Sequence, residues 1–172
     1  MALAIAACSA SNAPNAENDA TVGAASNRSA AVAGAPGVVS LPRKGRTVAV
    51  NVQGVAPAGV TVRVLTIELG TDATMLDVSA SYGGTITNDI TLAGAATYLL
   101  DEHGNRLMLK PPQDNQYLRI VKGQTMQGKL VFLGAVAENA KSVKLVFNDN
   151  NDGNNLVDPG LTIPLPLESA AQ

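Results

Sequence analysis

Short runs of alternating apolar and polar residues, each closed by a turn signal, constrain this chain more than any other feature. Residues 76–82 are the clearest case: Leu76, Val78, Ala80 and Tyr82 alternate with Asp77, Ser79 and Ser81. A period of two places one set on a buried face and the other toward solvent, the pattern of a half-buried β-strand. Residues 47–52 carry Val48, Val50 and Val52 on one phase. Residues 60–69 begin with Val60, Val62 and Val64, then change phase to Leu65, Ile67 and Leu69. A change of phase within one strand predicts a β-bulge or burial on both faces. Residues 98–101 and 106–109 flank Glu102-His103-Gly104-Asn105, which predicts a hairpin with Gly104 and Asn105 at left-handed positions. Residues 117–121, 126–133 and 142–147 supply further strands, the last with Val143, Leu145 and Phe147 on one side.

In residues 161–167, Leu161, Ile163, Leu165 and Leu167 alternate with Thr162, Pro164 and Pro166. Proline has no N–H for a ladder, so this segment is expected at a sheet edge. No sustained 3.6-residue period occurs, and residues 134–140 offer at most one helical turn. The expected fold is therefore all-β: an Ig-like antiparallel sandwich of about seven to nine strands over residues 42–168, followed by a short tail, 169–172. A domain of this size can fold without disulfides.

Composition narrows the function classes. The aromatics are Tyr82, Tyr98, Tyr117, Phe132 and Phe147, with no Trp, so the core must come from Val, Leu, Ile and Ala. Few aromatics also leave little material for stacking platforms on single-stranded nucleic acid. The formal net charge is −2 and the basic residues are scattered, apart from Arg43, Lys44 and Arg46. No electrostatic case for a nucleic-acid partner exists.

The single cysteine, Cys8, has no internal disulfide partner. It ends the run Ile5-Ala6-Ala7-Cys8, which resembles the lipobox of bacterial lipoproteins. That resemblance implies cleavage before Cys8 and a diacylglycerol on its thiol. It assigns residues 1–8 to the end of a signal segment. Signal peptides carry a basic n-region and a longer apolar stretch, so the same reading expects the natural start upstream of Met1. Residues 9–41 are rich in Ala, Ser, Asn and Gly, without aromatics or apolar periodicity. They cannot bury enough surface to offset ordering and read as a disordered, flexible tether. Ser9 after the cysteine, by family resemblance, points to the outer membrane.

A second resemblance lies in the domain. Residues 118–132 contain Gly123-Gln-Thr125 and Gly128-Lys-Leu-Val-Phe132, after a hairpin with Leu99-Leu-Asp101-Glu-His-Gly104. This is similar to the telokin-like Ig domains of bacterial lipoproteins over residues 62–147. A longer 84–96 insertion and an Asn-rich loop depart from the pattern. The family implies an extracytoplasmic accessory role and supplies no catalytic residues.

Two places could carry chemistry. His103, the only histidine, sits at a predicted loop tip and would need a nucleophile and an orienting acid beside it. Residues 148–158 read Asn-Asp-Asn-Asn-Asp-Gly-Asn-Asn-Leu-Val-Asp. Asn148, Asn150 and Asp152 before Gly153 match the opening of a calcium loop, with Pro159 where the bidentate Glu belongs. Asp158 is the substitute carboxylate, and Ca²⁺ the one cofactor the sequence raises. Polar interstrand loops share this composition, since Asn, Asp and Gly tolerate left-handed backbone. The sequence thus predicts no enzyme. It predicts a lipid-anchored module of the cell envelope, an outer-membrane lipoprotein facing the periplasm or the cell surface. Its partners would be the membrane and another envelope protein; the alternative is a calcium- or small-ligand-binding protein using loop 148–158.

Overall fold

The computed structural model describes residues 45–168, and the architecture is all-β. Cys8, the expected tether 9–41 and the tail 169–172 lie outside the described residues. Ten strands run in order: β1 Arg46–Ala56, β2 Val60–Leu69, β3 Ala73–Tyr82, β4 Asp89–Thr91, β5 Tyr98–Asp101, β6 Arg106–Lys110, β7 Arg119–Val121, β8 Thr125–Leu133, β9 Ser142–Phe147 and β10 Leu161–Pro166. Eight of them form one antiparallel order, β1-β2-β3-β8-β6-β5-β9-β10, while β4 and β7 pair separately. The order folds over on itself as a sandwich. Strand β6 is the hinge between the halves: Arg106, Leu107 and Met108 pair with β5, and Leu109 and Lys110 pair with Phe132 and Val131 of β8.

The alternating segments place their apolar phase inward. Val60, Val62, Val64, Leu76, Val78, Ala80, Leu130, Phe132, Val143, Leu145, Ile163 and Leu165 form one buried cluster. Tyr82, Phe132 and Phe147 are the aromatic members. The phase change in β2 is a bulge: Val64 pairs with Val78 and Thr66 with Asp77, leaving Leu65 unopposed. A second bulge in β1 lies between Ala49 and Val52, where Asn51 turns left-handed at φ 47°.

Strand β1 packs against β10 across the sandwich. A Cβ on Gly54 would lie 2.5 Å from Cγ1 and 2.6 Å from Cδ1 of Ile163, so glycine is what lets the two layers meet there. Strand β10 ends the sheet order, as its prolines predict. Leu167 N–H donates to Lys141 C=O, so the odd-numbered residues of this segment face β9. The even ones, Pro164 and Pro166 among them, face the free edge, where a missing N–H costs nothing and discourages edge-to-edge pairing.

Two expectations need correction. Residues 134–140 form no helical turn: Gly134 takes φ 118° and the segment closes with one turn, Ala140 N–H to Ala137 C=O. In the β5–β6 hairpin only Gly104 is left-handed, at φ 85°. Asn105 is instead held by Asp101, whose Oδ1 accepts from the His103 and Asn105 backbone N–H groups and whose Oδ2 accepts from the Asn105 side chain. Strand β4 escaped the sequence pattern because three residues are too few to show alternation.

Asp101 also gives the domain a pH response. Burial alone would raise its pKa, but the bonds from the Asn105 side chain, the Asn105 backbone and the His103 backbone outweigh burial and hold it below the ordinary carboxylate value. The carboxylate therefore stabilises fully above the unfolded pKa of about 3.9, and that stabilisation is lost as pH falls through the lower folded value. Asp101→Ala is expected to cost about 2 kcal/mol at pH 7, because three donors lose their acceptor. Thermal melts of both proteins from pH 7 to pH 2.5 should converge; a constant difference would show that the carboxylate charge is not the cause.

Candidate functional site

The candidate site is the end of the sandwich where the 57–59 turn, the 83–88 loop, residues 91–97 and the 148–160 loop meet. Its organising residue is Asn148, fully buried just after β9 and left-handed at φ 49°. Asparagine tolerates this backbone better than most side chains do. Its Oδ1 accepts from Ala95 N–H at 2.9 Å, and its Nδ2 donates to the carbonyls of Thr91 and Pro159 at 2.9 and 3.0 Å. Its own N–H donates to Thr97 Oγ1, which in turn donates to Leu92 C=O. One amide thus ties β4, the 92–97 loop, the end of β9 and the approach to β10.

The rest of the loop satisfies itself in the same way. Asn151 Nδ2 donates to Asp158 C=O, and Asn155 Oδ1 accepts from the Val157 and Asp158 N–H groups. Asp152 Oδ1 accepts from the backbone and side chain of Asn154. Asp158 Oδ1 takes a close hydrogen bond from Thr91 Oγ1. Bonds to neighbouring loops fix the whole end: Ala58 N–H to Gly153 C=O, Gly83 N–H to Gly59 C=O, Thr91 N–H to Val157 C=O and Thr87 Oγ1 to Leu156 C=O. The buried Tyr82 hydroxyl reaches Thr87 Oγ1 at 2.6 Å.

The four residues raised as calcium ligands are accordingly held apart in their duties. Asn148 commits its one side-chain oxygen to Ala95, Asp152 one carboxylate oxygen to Asn154 and Asp158 one to Thr91, while Asn150 is exposed and left-handed at φ 67°. Among the described residues, no group of three or more His, Cys, Asp or Glu side chains is placed to hold a metal. The neighbouring Asp149 accepts from Arg106, whose guanidinium lies 4.4 Å from the Tyr98 ring centre. Burial, and then the Asp149 carboxylate, push the Tyr98 hydroxyl pKa up. Calorimetric titration of the full chain with Ca²⁺ is expected to give no heat and no shift in melting temperature, since binding would first break the Asn148–Ala95 bond. A saturable heat would mean the loop rearranges around the ion.

His103 is exposed at the hairpin tip, with Nδ1 4.0 Å from Asp101 Oδ2. The neighbouring Glu102 takes a hydroxyl hydrogen bond instead: Ser142 Oγ donates to it at 3.0 Å. The arrangement links turn to strand and does not pair a hydroxyl nucleophile with the imidazole.

What the sequence did not reveal is the apolar surface at the loop end. Ile86 is 73% exposed, Val157 59% and Val55 59%. Ile86 adjoins Thr87 and Val157 adjoins Leu156, the two residues joined by the Thr87–Leu156 bond. The only sequence signal was an aliphatic residue within a polar loop, which single exposed hydrophobes make uninformative.

No protein-family profile matches the sequence, and no curated protein does. Among solved structures, the chain is similar to a functionally unknown protein from Listeria monocytogenes EGD-e, at 11% sequence identity and a TM-score of 0.49, covering 73% of this chain and 89% of that one.

Proposed function

We propose that this protein is a membrane-anchored, extracytoplasmic interaction module, a bacterial lipoprotein that presents a rigid loop end to another envelope protein. The observation that carries this reading is the loop end itself. Exposed Ile86 and Val157 sit on loops locked together by hydrogen bonds, exposed Val55 lies next to the end of β1, and such apolar residues on a preorganised frame lose little entropy on binding. The chain's course supports it. Arg46 pairs with Leu69 and donates to Leu167 C=O, so the described chain enters and leaves at the same end. Strand β1 then runs 11 residues, roughly 35 Å, to the 57–59 turn at the loop end. The described chain thus enters and leaves at the end opposite the loop end. The Ile5-Ala6-Ala7-Cys8 run supplies the anchor.

Two measurements test the reading together. Metabolic labelling with a lipid precursor should mark the protein through Cys8, and Cys8→Ser should abolish the label and release the protein from membrane fractions. A photo-crosslinker at position 86 should give a discrete adduct in envelope preparations, while one at the exposed Arg63 of β2 should not. An unlabelled wild type refutes the anchor; equal adducts at both positions, or none, refute the loop-end interface.

A further inference from the structure

The eight-strand order conceals an open edge in its middle. Gly134 N–H donates to Asp72 C=O, which by the register of β3 and β8 fixes the even-numbered residues of β8 toward β3. The odd-numbered residues therefore turn their N–H and C=O the other way. On that side β6 covers only Val131 and Phe132. Among the described residues no strand pairs with Gln127 or Lys129 there, and no backbone hydrogen bond from the facing 111–118 segment reaches them. Their four backbone groups form a short unused ladder.

A groove runs along this ladder. One part, about 210 Å³, lies between Gly128, Leu130 and Val78 on the sheet and Leu118, Pro112 and Asp114 opposite. A second part, about 200 Å³, continues past Asn115 and Met126 toward Ile120 and Thr125. Gly128 alternates onto the face of Leu130 and Phe132 but is itself exposed, and nothing lies within 4 Å of where its Cβ would stand. The groove is open above that position. The facing wall is firmly set: Asn115 Oδ1 accepts from Arg119 N–H, its Nδ2 donates to Arg119 C=O, and buried Leu118 is forced left-handed at φ 50°. A buried leucine in that conformation is strained, and such strain concentrates at working sites. Charge is also uneven. Lys129 pairs with Glu68 and Arg119 with Asp89, which leaves Asp114 as the exposed charge on the rim without an ion-pair partner among the described residues.

We infer that the β8 edge at Gln127 and Lys129 accepts an extended peptide as an added strand, with one aliphatic side chain entering the cavity over Gly128 and a basic residue meeting Asp114. The backbone ladder supplies the affinity and the cavity the selectivity. This site is separate from the loop end and does not depend on the anchor.

The probe is an acetylated, amidated heptapeptide of alternating valine and threonine ending in lysine, titrated into the ¹⁵N-labelled full chain. Saturable shifts and slowed hydrogen exchange are expected at the Gln127 and Lys129 amides. Gln127→Pro removes a donor that β3 does not use and should weaken binding at least tenfold, while Gln127→Ala should stay within twofold. Asp114→Lys should reverse preference toward a peptide ending in glutamate. A peptide N-methylated along one edge should fail to bind; this arm needs no variant and stands even if Gln127→Pro unfolds. Equal binding by the N-methylated peptide, or equal weakening by both Gln127 variants, overturns the proposal. So do shifts confined to Ile86 and Val157, or protection of the same amides by self-association before peptide is added.

Discussion

Asn148→Ala is expected to destabilise the domain by about 4 kcal/mol, at the upper end of what single substitutions do. The side chain is fully buried and each of its polar atoms is used. Truncation leaves the Ala95 N–H and the Thr91 and Pro159 carbonyls without their partner, and each unsatisfied buried group costs about 1–3 kcal/mol. At about 4 °C per kcal/mol for a domain of this size, the melting temperature should fall by about 15 °C. Asn148→Asp should be at least as harmful. It keeps an acceptor for Ala95 but sets a carboxylate oxygen against two carbonyls. Asn148→Gly separates backbone from side chain: it loses the same bonds yet relieves the left-handed strain at φ 49°, so it should recover about 1 kcal/mol relative to alanine. Urea denaturation with an unchanged slope checks all three. A cost below 1 kcal/mol for alanine would mean that water replaces the amide and the loop end is not stapled as described.

The second large effect lies where β1 crosses β10. Gly54→Val is expected to cost about 3 kcal/mol, because its Cβ would already overlap the Ile163 side chain and a branched residue adds two more carbons. Ile163→Ala should cost a similar amount by leaving a cavity in the buried cluster. Combining the smaller changes Gly54→Ala and Ile163→Val should cost less than their sum by about 1–2 kcal/mol, since each makes room the other needs. Strict additivity would mean the two layers part on substitution instead of repacking.

Much of the sheet was legible because alternation needs only local sequence. The phase change at Leu65 announced a bulge or burial on both faces, of which the bulge forms, and Pro164 and Pro166 announced a free edge; both depend on backbone rules that hold whatever the partner strand. The strand order was not legible, since pairings such as Ala73 with Leu133 are set by the tertiary fold. Strand β4 was too short to show a period. The Asn-rich segment shows why site reading is harder. The same oxygens that suit a cation also suit backbone N–H groups, and composition cannot say which will be nearer. Asn148 looked like a first ligand position; the structure spends its oxygen on Ala95. The gap over Gly128 left no trace in sequence, because a glycine in a strand reads alike whether a neighbour fills its space or nothing does.

The pairing of β3 with β8 and of β5 with β9 has a kinetic consequence. Local hairpins such as β1–β2 can close within microseconds, but they bury only one half of the core. The sandwich gains its stability when β8 reaches back to β3 and β9 to β5, each across dozens of intervening residues. Chains dominated by such distant pairings fold in milliseconds to seconds. The Asn148 staple joins segments on both sides of that closure, so it belongs to the last events of folding, and its loss should speed unfolding far more than it slows refolding.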